Sequence, residues 1–164
     1  SKRARFTGLR CGYTVVPEEL RLPASDGKMH SLRKMWLRRQ STKFNGASYV
    51  IQRGAAAVYT RGGLEETSRQ TAGYKENAAL LLRACRSAGL EVEGGVDAPY
   101  VWVCCPEGYG SWDFFSLLLT RLHIVSTPGC GFGPAGEGYV RLTAFNTPEA
   151  TREAAARLSA LKNC

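Results

Sequence analysis

At 164 residues, with 44% hydrophobic residues and a formal net charge of +8, the chain is long enough for one compact domain, or for a small domain plus a detached segment. No apolar run approaches the roughly 20 residues of a membrane-spanning helix. An aliphatic chain of this size has little need of disulfide staples, so its six cysteines read as free thiols of a reducing compartment. Metal-ligand spacing is also absent: there is no C-x-x-C, and His30 and His123 stand far apart. The basic balance, with pI ≈ 9.4, is a bias toward polyanionic partners.

In chain order, the first residue is serine and no secretory signal follows, so an upstream part is expected. Arg10 to Val16 is β-branched and aromatic and predicts a strand, ended by Pro17 and followed by a loop through Ser25-Asp26-Gly27. Leu32 to Lys43 interleaves Arg33, Lys34, Arg38, Arg39 and Lys43 with Leu32, Met35, Trp36 and Leu37, the pattern of an amphipathic helix with a solvated basic face. After the turn at Asn45-Gly46, Ala47 to Tyr59 predicts a second helix, which Arg61-Gly62-Gly63 is expected to stop.

Tyr74, Ala78, Leu81, Cys85 and Ala88 recur at helical spacing, predicting a long helix over 64–88 with Gly89 as its left-handed cap. Glu91-Val92-Glu93 and Tyr100 to Cys104 predict strands, and Ser111 is the expected N-cap of a helix from Trp112 to Leu122. His123 to Ser126 is expected to be a third strand and Tyr139 to Ala144 a fourth, beyond a glycine-rich turn over 129–138. Thr147-Pro148-Glu149 carries a hydroxyl, a proline and an acid in the order that opens a helix. Residues 62–164 therefore predict an α+β unit, a small sheet covered by helices on one face. Residues 1–61 read as a strand and helices cut from a neighbouring domain.

Gly131-Phe132-Gly133-Pro134-Ala135-Gly136 spells G-x-G-x-x-G, but β-forming residues follow it where a dinucleotide site needs a helix. Other blocks carry more. The run Ser1 to Pro17, Phe44-Asn45-Gly46-Ala47-Ser48, Tyr74-Lys75-Glu76-Asn77, Ala98 to Val103, Thr127-Pro128-Gly129, Gly131 to Pro134 and Gly136-Glu137-Gly138-Tyr139-Val140-Arg141 together resemble the fold-type-I, pyridoxal-phosphate-dependent aminotransferases, specifically the LL-diaminopimelate aminotransferase family. The likeness covers nearly the whole chain. Arg3 and Arg5 depart from the family pattern, which has smaller or neutral residues there.

The resemblance implies that residues 1–61 are the end of the cofactor-binding large domain and 62–164 the small domain. It implies Lys2 as catalytic and cofactor-holding lysine, Arg10 as the partner of the cofactor phosphate, and Arg141 as the clamp on the substrate α-carboxylate. Asn45 is implied to reach cofactor and substrate across a subunit interface. The implied partners are a missing N-terminal segment, a second subunit and an amino-acid substrate. The implied reaction moves an amino group between glutamate and tetrahydrodipicolinate in lysine biosynthesis, in a chloroplast stroma or bacterial cytoplasm. The chain alone is not expected to transaminate, because the groups that serve the cofactor ring lie upstream. By residue type alone, Lys2 would be an ordinary solvated lysine, Trp102 and Phe132 packing residues, and Asn45-Gly46 a turn. An alternative reading is an inactive, aminotransferase-derived structural subunit of a larger, nucleic-acid-containing assembly, supported by the positive charge.

Overall fold

The computed structural model describes Gly8 and residues 10–163. Lys2, Arg3 and Arg5 lie outside the described residues. The chain divides into two compact units, Ser1–Ser68 and Arg69–Cys164.

In the first unit, β1 (Arg21–Pro23) and β2 (Met29–Ser31) form an antiparallel hairpin with Leu22 opposite His30. The Ser25-Asp26-Gly27 turn joins them. Asp26 Oδ1 accepts from the Lys28 N–H at 2.9 Å, its carboxylate pairs with His30 Nε2 at 2.9 Å, and Gly27 supplies the positive φ of 74° that the turn requires. The strand expected over 10–16 is not formed. Tyr13 and Val15 are exposed there, and β-forming residues make a strand only against a partner, which none of the described residues supplies.

Two helices follow. α1 (Leu32–Lys43) is capped by Ser31, whose Oγ accepts from the Lys34 N–H, and α2 (Tyr49–Ala57) by Ser48. Neither helix contains a buried residue. Met35, Trp36 and Leu37 are exposed along with the basic side chains of α1, so this unit presents its apolar face as well as its charged one.

Arg61-Gly62-Gly63 does not stop a helix but opens one: α3 runs Arg61–Ser87. Thr60 is the reason, since its Oγ1 accepts from the Gly63 N–H at 3.2 Å and its carbonyl from the Leu64 N–H at 2.8 Å. Gly63 is required by space, because a Cβ there would lie 2.2 Å from the Ala57 carbonyl oxygen of the preceding helix.

The second unit holds the core. β3 (Val92–Gly94), β4 (Tyr100–Cys104), β5 (Thr127–Pro128) and β6 (Tyr139–Thr143) make an antiparallel sheet in the order β3-β4-β6-β5. The later part of α3, α4 (Ser111–Leu122) and α5 (Pro148–Ser159) cover one face. Val101 and Val103 of β4 and Val140 and Leu142 of β6 meet Leu81 and Cys85 of α3, Phe114 and Leu118 of α4, and Leu158 of α5 there. This is the expected α+β arrangement. Among these residues Leu81 and Cys85 lie on the stripe read from the sequence, and Thr147 caps α5 as its hydroxyl predicts, accepting from Ala150 N–H at 3.2 Å.

Two boundaries move. His123 takes a left-handed conformation (φ 52°) and terminates α4, so residues 123–126 are not a strand; pairing begins at Thr127, opposite Arg141. The N-cap of α4 is Gly110 rather than Ser111, which is fully buried and puts its hydroxyl to another use.

Candidate active site

The register of β4 and β6 sets Tyr100 opposite Thr143, Trp102 opposite Arg141 and Cys104 opposite Tyr139. Because side chains alternate along a strand, the valines and Leu142 enter the core while Tyr100, Trp102, Tyr139 and Arg141 share the opposite face, away from the helices. Arg141 sits at the middle of that face, flanked by Trp102 on one side and Thr127 on the other.

Its guanidinium is held between two rings. The Arg141 Cζ lies 4.3 Å from the Tyr100 ring centroid and 4.3 Å from that of Phe132. Each ring is braced in turn: Phe132 meets Trp102 edge-on at 5.3 Å, and Tyr100 meets Phe145 at 5.8 Å, which meets Tyr74 at 4.9 Å. Cation–π attraction of about 1–2 kcal/mol when desolvated offsets part of the loss of hydration. It supplies no hydrogen bonds. Arg141 Nε is buried without an acceptor, and among the described residues no carboxylate pairs with the guanidinium. A planar fork fixed in direction, partly dehydrated and lacking its anion, is suited to take a carboxylate from outside.

Phe132 reaches Arg141 from the glycine-rich segment between β5 and β6, which folds as two short 3₁₀ turns, Gly129–Phe132 and Pro134–Gly136. The segment is pinched shut at its base. A Cβ on Gly129 would lie 2.1 Å from the Gly136 carbonyl oxygen, and one on Gly136 would lie 2.1 Å from that of Gly129. This explains the glycines more directly than any phosphate-cradling role.

The same base is tied to α4. The Ser111 hydroxyl donates to the Gly136 carbonyl at 3.3 Å and accepts from the Gly138 N–H at 3.1 Å, while Glu137 Oε1 accepts from the Ser111 N–H at 2.9 Å. The Ser111 N–H is the first cause that holds the Glu137 carboxyl below its ordinary pKa, against a smaller opposing cost of burial; the Gly138 N–H, the Ser111 hydroxyl and the Cys130 thiol add to the lowering.

Of the residues singled out from the sequence, Arg141 is thus found in a defined site. Arg10 is exposed at φ 52°, and Asn45 is exposed at φ 64° in the turn that follows α1, its N–H bonding to the Gln40 carbonyl at 3.2 Å. Arg10 and Asn45 belong to the first unit and Arg141 to the second. Lys2 lies outside the described residues. The sequence reading left Tyr100, Glu137 and Ser111 without these roles and gave Phe132 to packing. The two-residue period of β4 held the clue for Tyr100; nothing in the linear order brings Glu137 to Ser111.

Comparison with known proteins identifies the family. The family described as "Aminotransferase class I and II" matches residues 1–158. The LL-diaminopimelate aminotransferase of Methanosphaera stadtmanae is 52% identical over 162 residues, covering 99% of this chain and 39% of that protein. The solved structure of L,L-diaminopimelate aminotransferase from Chlamydomonas reinhardtii superposes with a TM-score of 0.76 at 44% identity, over 83% of this chain and 33% of its own. An aromatic aminotransferase from Pyrococcus horikoshii OT3, at 24% identity and a TM-score of 0.71, over 79% of this chain and 35% of its own, shares the fold. The chain thus spans about two fifths of the length of the Methanosphaera relative and belongs to the class I and II aminotransferases.

Proposed function

We propose that the chain serves as the C-terminal portion of an LL-diaminopimelate aminotransferase, transferring an amino group between glutamate and tetrahydrodipicolinate once joined to an N-terminal large-domain segment and a second subunit. The observation that carries this reading is the ring-clamped Arg141 with its buried, acceptor-less Nε, in a chain 52% identical to an enzyme of that name. Both substrates bring a carboxylate beside the reacting carbon.

Aminotransferases of this family depend on pyridoxal phosphate, and the donor set here suits it: an amine at Lys2 for an aldehyde, a guanidinium at Arg10 for a phosphate and an amide at Asn45. When bound, the cofactor withdraws electrons from the substrate α-carbon and acidifies its C–H bond. Arg141 binds the amino acid by its carboxylate and so fixes the direction of the α-carbon. Lys2 Nζ is the base that accepts the α-proton, a task for its neutral amine. The face carrying Arg141 is lined by Tyr100, Trp102 and Phe132, which limit water around the reacting carbon. Residues 1–61 fall to the large domain and 62–164 to the small one. A chloroplast stroma or bacterial cytoplasm suits this pathway. The positive charge alone favours the nucleic-acid-bound alternative, and no described site adds to it.

Borohydride reduction of the full-length protein with pyridoxal phosphate, followed by peptide mass analysis, tests the reading. Cofactor mass fixed on Lys2, with amino transfer from LL-diaminopimelate to 2-oxoglutarate before reduction, is expected. Label scattered over exposed lysines with no transfer would overturn it.

A further inference from the structure

The Gly129–Gly138 segment does two things at once. At its tip, Phe132 forms one wall of the Arg141 clamp, although half of its surface (51%) is exposed and the core does not hold it. At its base, three successive residues each engage Ser111 at the start of α4: Gly136 through its carbonyl, Glu137 through its carboxylate and Gly138 through its N–H. The Gly138 carbonyl also accepts from the Cys105 N–H at 2.8 Å, tying the base to the end of β4.

Ser111 is fully buried and α4 is anchored in the core through Phe114 and Leu118. The base of the segment is therefore hydrogen-bonded to a rigid element, whereas Phe132 at its tip rests on ring contacts with Trp102 and Arg141. Of the three ties, only Glu137 satisfies an α4 N–H that has no partner within the helix. Asp113 Oδ2 takes the neighbouring Gly110 N–H at 3.1 Å, so the two carboxylates close the helix start from either side.

We propose that Glu137 is a positioning residue for the carboxylate grip: by capping α4 it fixes the base of the Gly129–Gly138 segment, and through that base it holds Phe132 against Arg141. This rests on the reading of Arg141 as the carboxylate clamp. Glu137 touches no substrate. Its contribution is to how tightly a carboxylate is held, not to the chemistry at the α-carbon.

The test uses the full-length enzyme loaded with pyridoxal phosphate and glutarate as the probe, a dicarboxylate with no amino group to react, with dissociation constants read by calorimetry. Glu137→Ala is expected to weaken glutarate roughly five- to tenfold, to raise the KM for the amino acid by a similar factor and to leave kcat within about twofold. Glu137→Gln, which keeps an oxygen acceptor for the Ser111 N–H, is expected to restore most of the affinity. In a Phe132→Ala background, Glu137→Ala should add little, because the wall it positions is gone. If Glu137→Ala does not fold, Ser111→Ala, which removes two of the three ties while preserving volume, is expected to weaken glutarate with the same lack of additivity toward Phe132→Ala.

Unchanged glutarate affinity in Glu137→Ala, or losses that simply add to those of Phe132→Ala, would overturn the proposal. Arg141→Lys separates the two levels. If it leaves glutarate binding intact, the clamp reading itself fails; if it abolishes binding while Glu137→Ala does nothing, only the positioning role fails.

Discussion

Arg141 and Cys85 show how one strand and one helix set opposite fates for reactive side chains. Arg141 is presented on the open face of the sheet with its ring partners, and no carboxylate among the described residues pairs with it. Cys85 is fully buried on the other side, and desolvation pushes its thiol up to about 11. Cys105 is raised to about 11 as well, by burial first and then by the charges of Cys104, Glu137 and Asp113. Iodoacetamide at pH 8 is therefore expected to label Cys85 only after denaturation and the half-buried Cys105 slowly in the native protein, read by peptide mass analysis; labelling of Cys85 within minutes in the native protein would contradict its burial. The same separation into two faces makes Asn77 a structural residue. Its side-chain amide donates to the Ala144 carbonyl at 3.1 Å and to the Asn146 carbonyl at 2.9 Å, joining α3 to the end of β6. Asn77→Ala should cost about 2–4 kcal/mol in urea unfolding of the full-length protein. A loss below about 0.5 kcal/mol would mean water replaces both bonds.

At the scale of elements, the glycine segment and the start of α4 behave as one joint. Gly129→Ala places a methyl group 2.1 Å from a backbone oxygen that cannot yield without opening the base. Its expected cost is about 3 kcal/mol or more, read as a drop in thermal midpoint together with weakened carboxylate binding. Glu137 gives the joint an acid dependence. Its folded-state pKa is depressed, so its contribution is fully present above the ordinary glutamate value of 4.5 and is lost as pH falls through the lower folded value. Asp113, Cys105 and Cys130 face the same carboxylate. Wild-type stability should therefore fall more steeply below pH 4.5 than that of Glu137→Gln. Parallel curves for the two would show that the carboxylate is not held.

How far these elements could be read from the sequence depended on whether their cause was local. The α5 cap at Thr147 and the apolar stripe of α3 are set by neighbours within a few residues, and both are found where the sequence puts them. Residues 10–16 have strand-forming side chains but depend on a partner elsewhere, and Arg61-Gly62-Gly63 has helix-breaking composition but follows a capping threonine. Within the site, Arg141 was legible through its motif. The Tyr100–Phe132 clamp and the Glu137–Ser111 tie were not, because they join segments 26 or more residues apart only after the sheet has folded.

Across the whole molecule, the two units differ in kind. The second has a continuous core and a site on its open face; the first has exposed apolar residues along α1 and α2 and no buried position in either helix. That contrast is found in a chain that spans 39% of the length of the Methanosphaera relative. The most direct measurement is kcat/KM for amino transfer from LL-diaminopimelate to 2-oxoglutarate by the full-length enzyme carrying Arg141→Lys. Replacing the planar fork by a point charge is expected to lower it by about 100-fold or more, mainly through KM. A value within about twofold of wild type would mean that the guanidinium between Tyr100 and Phe132 does not hold the substrate.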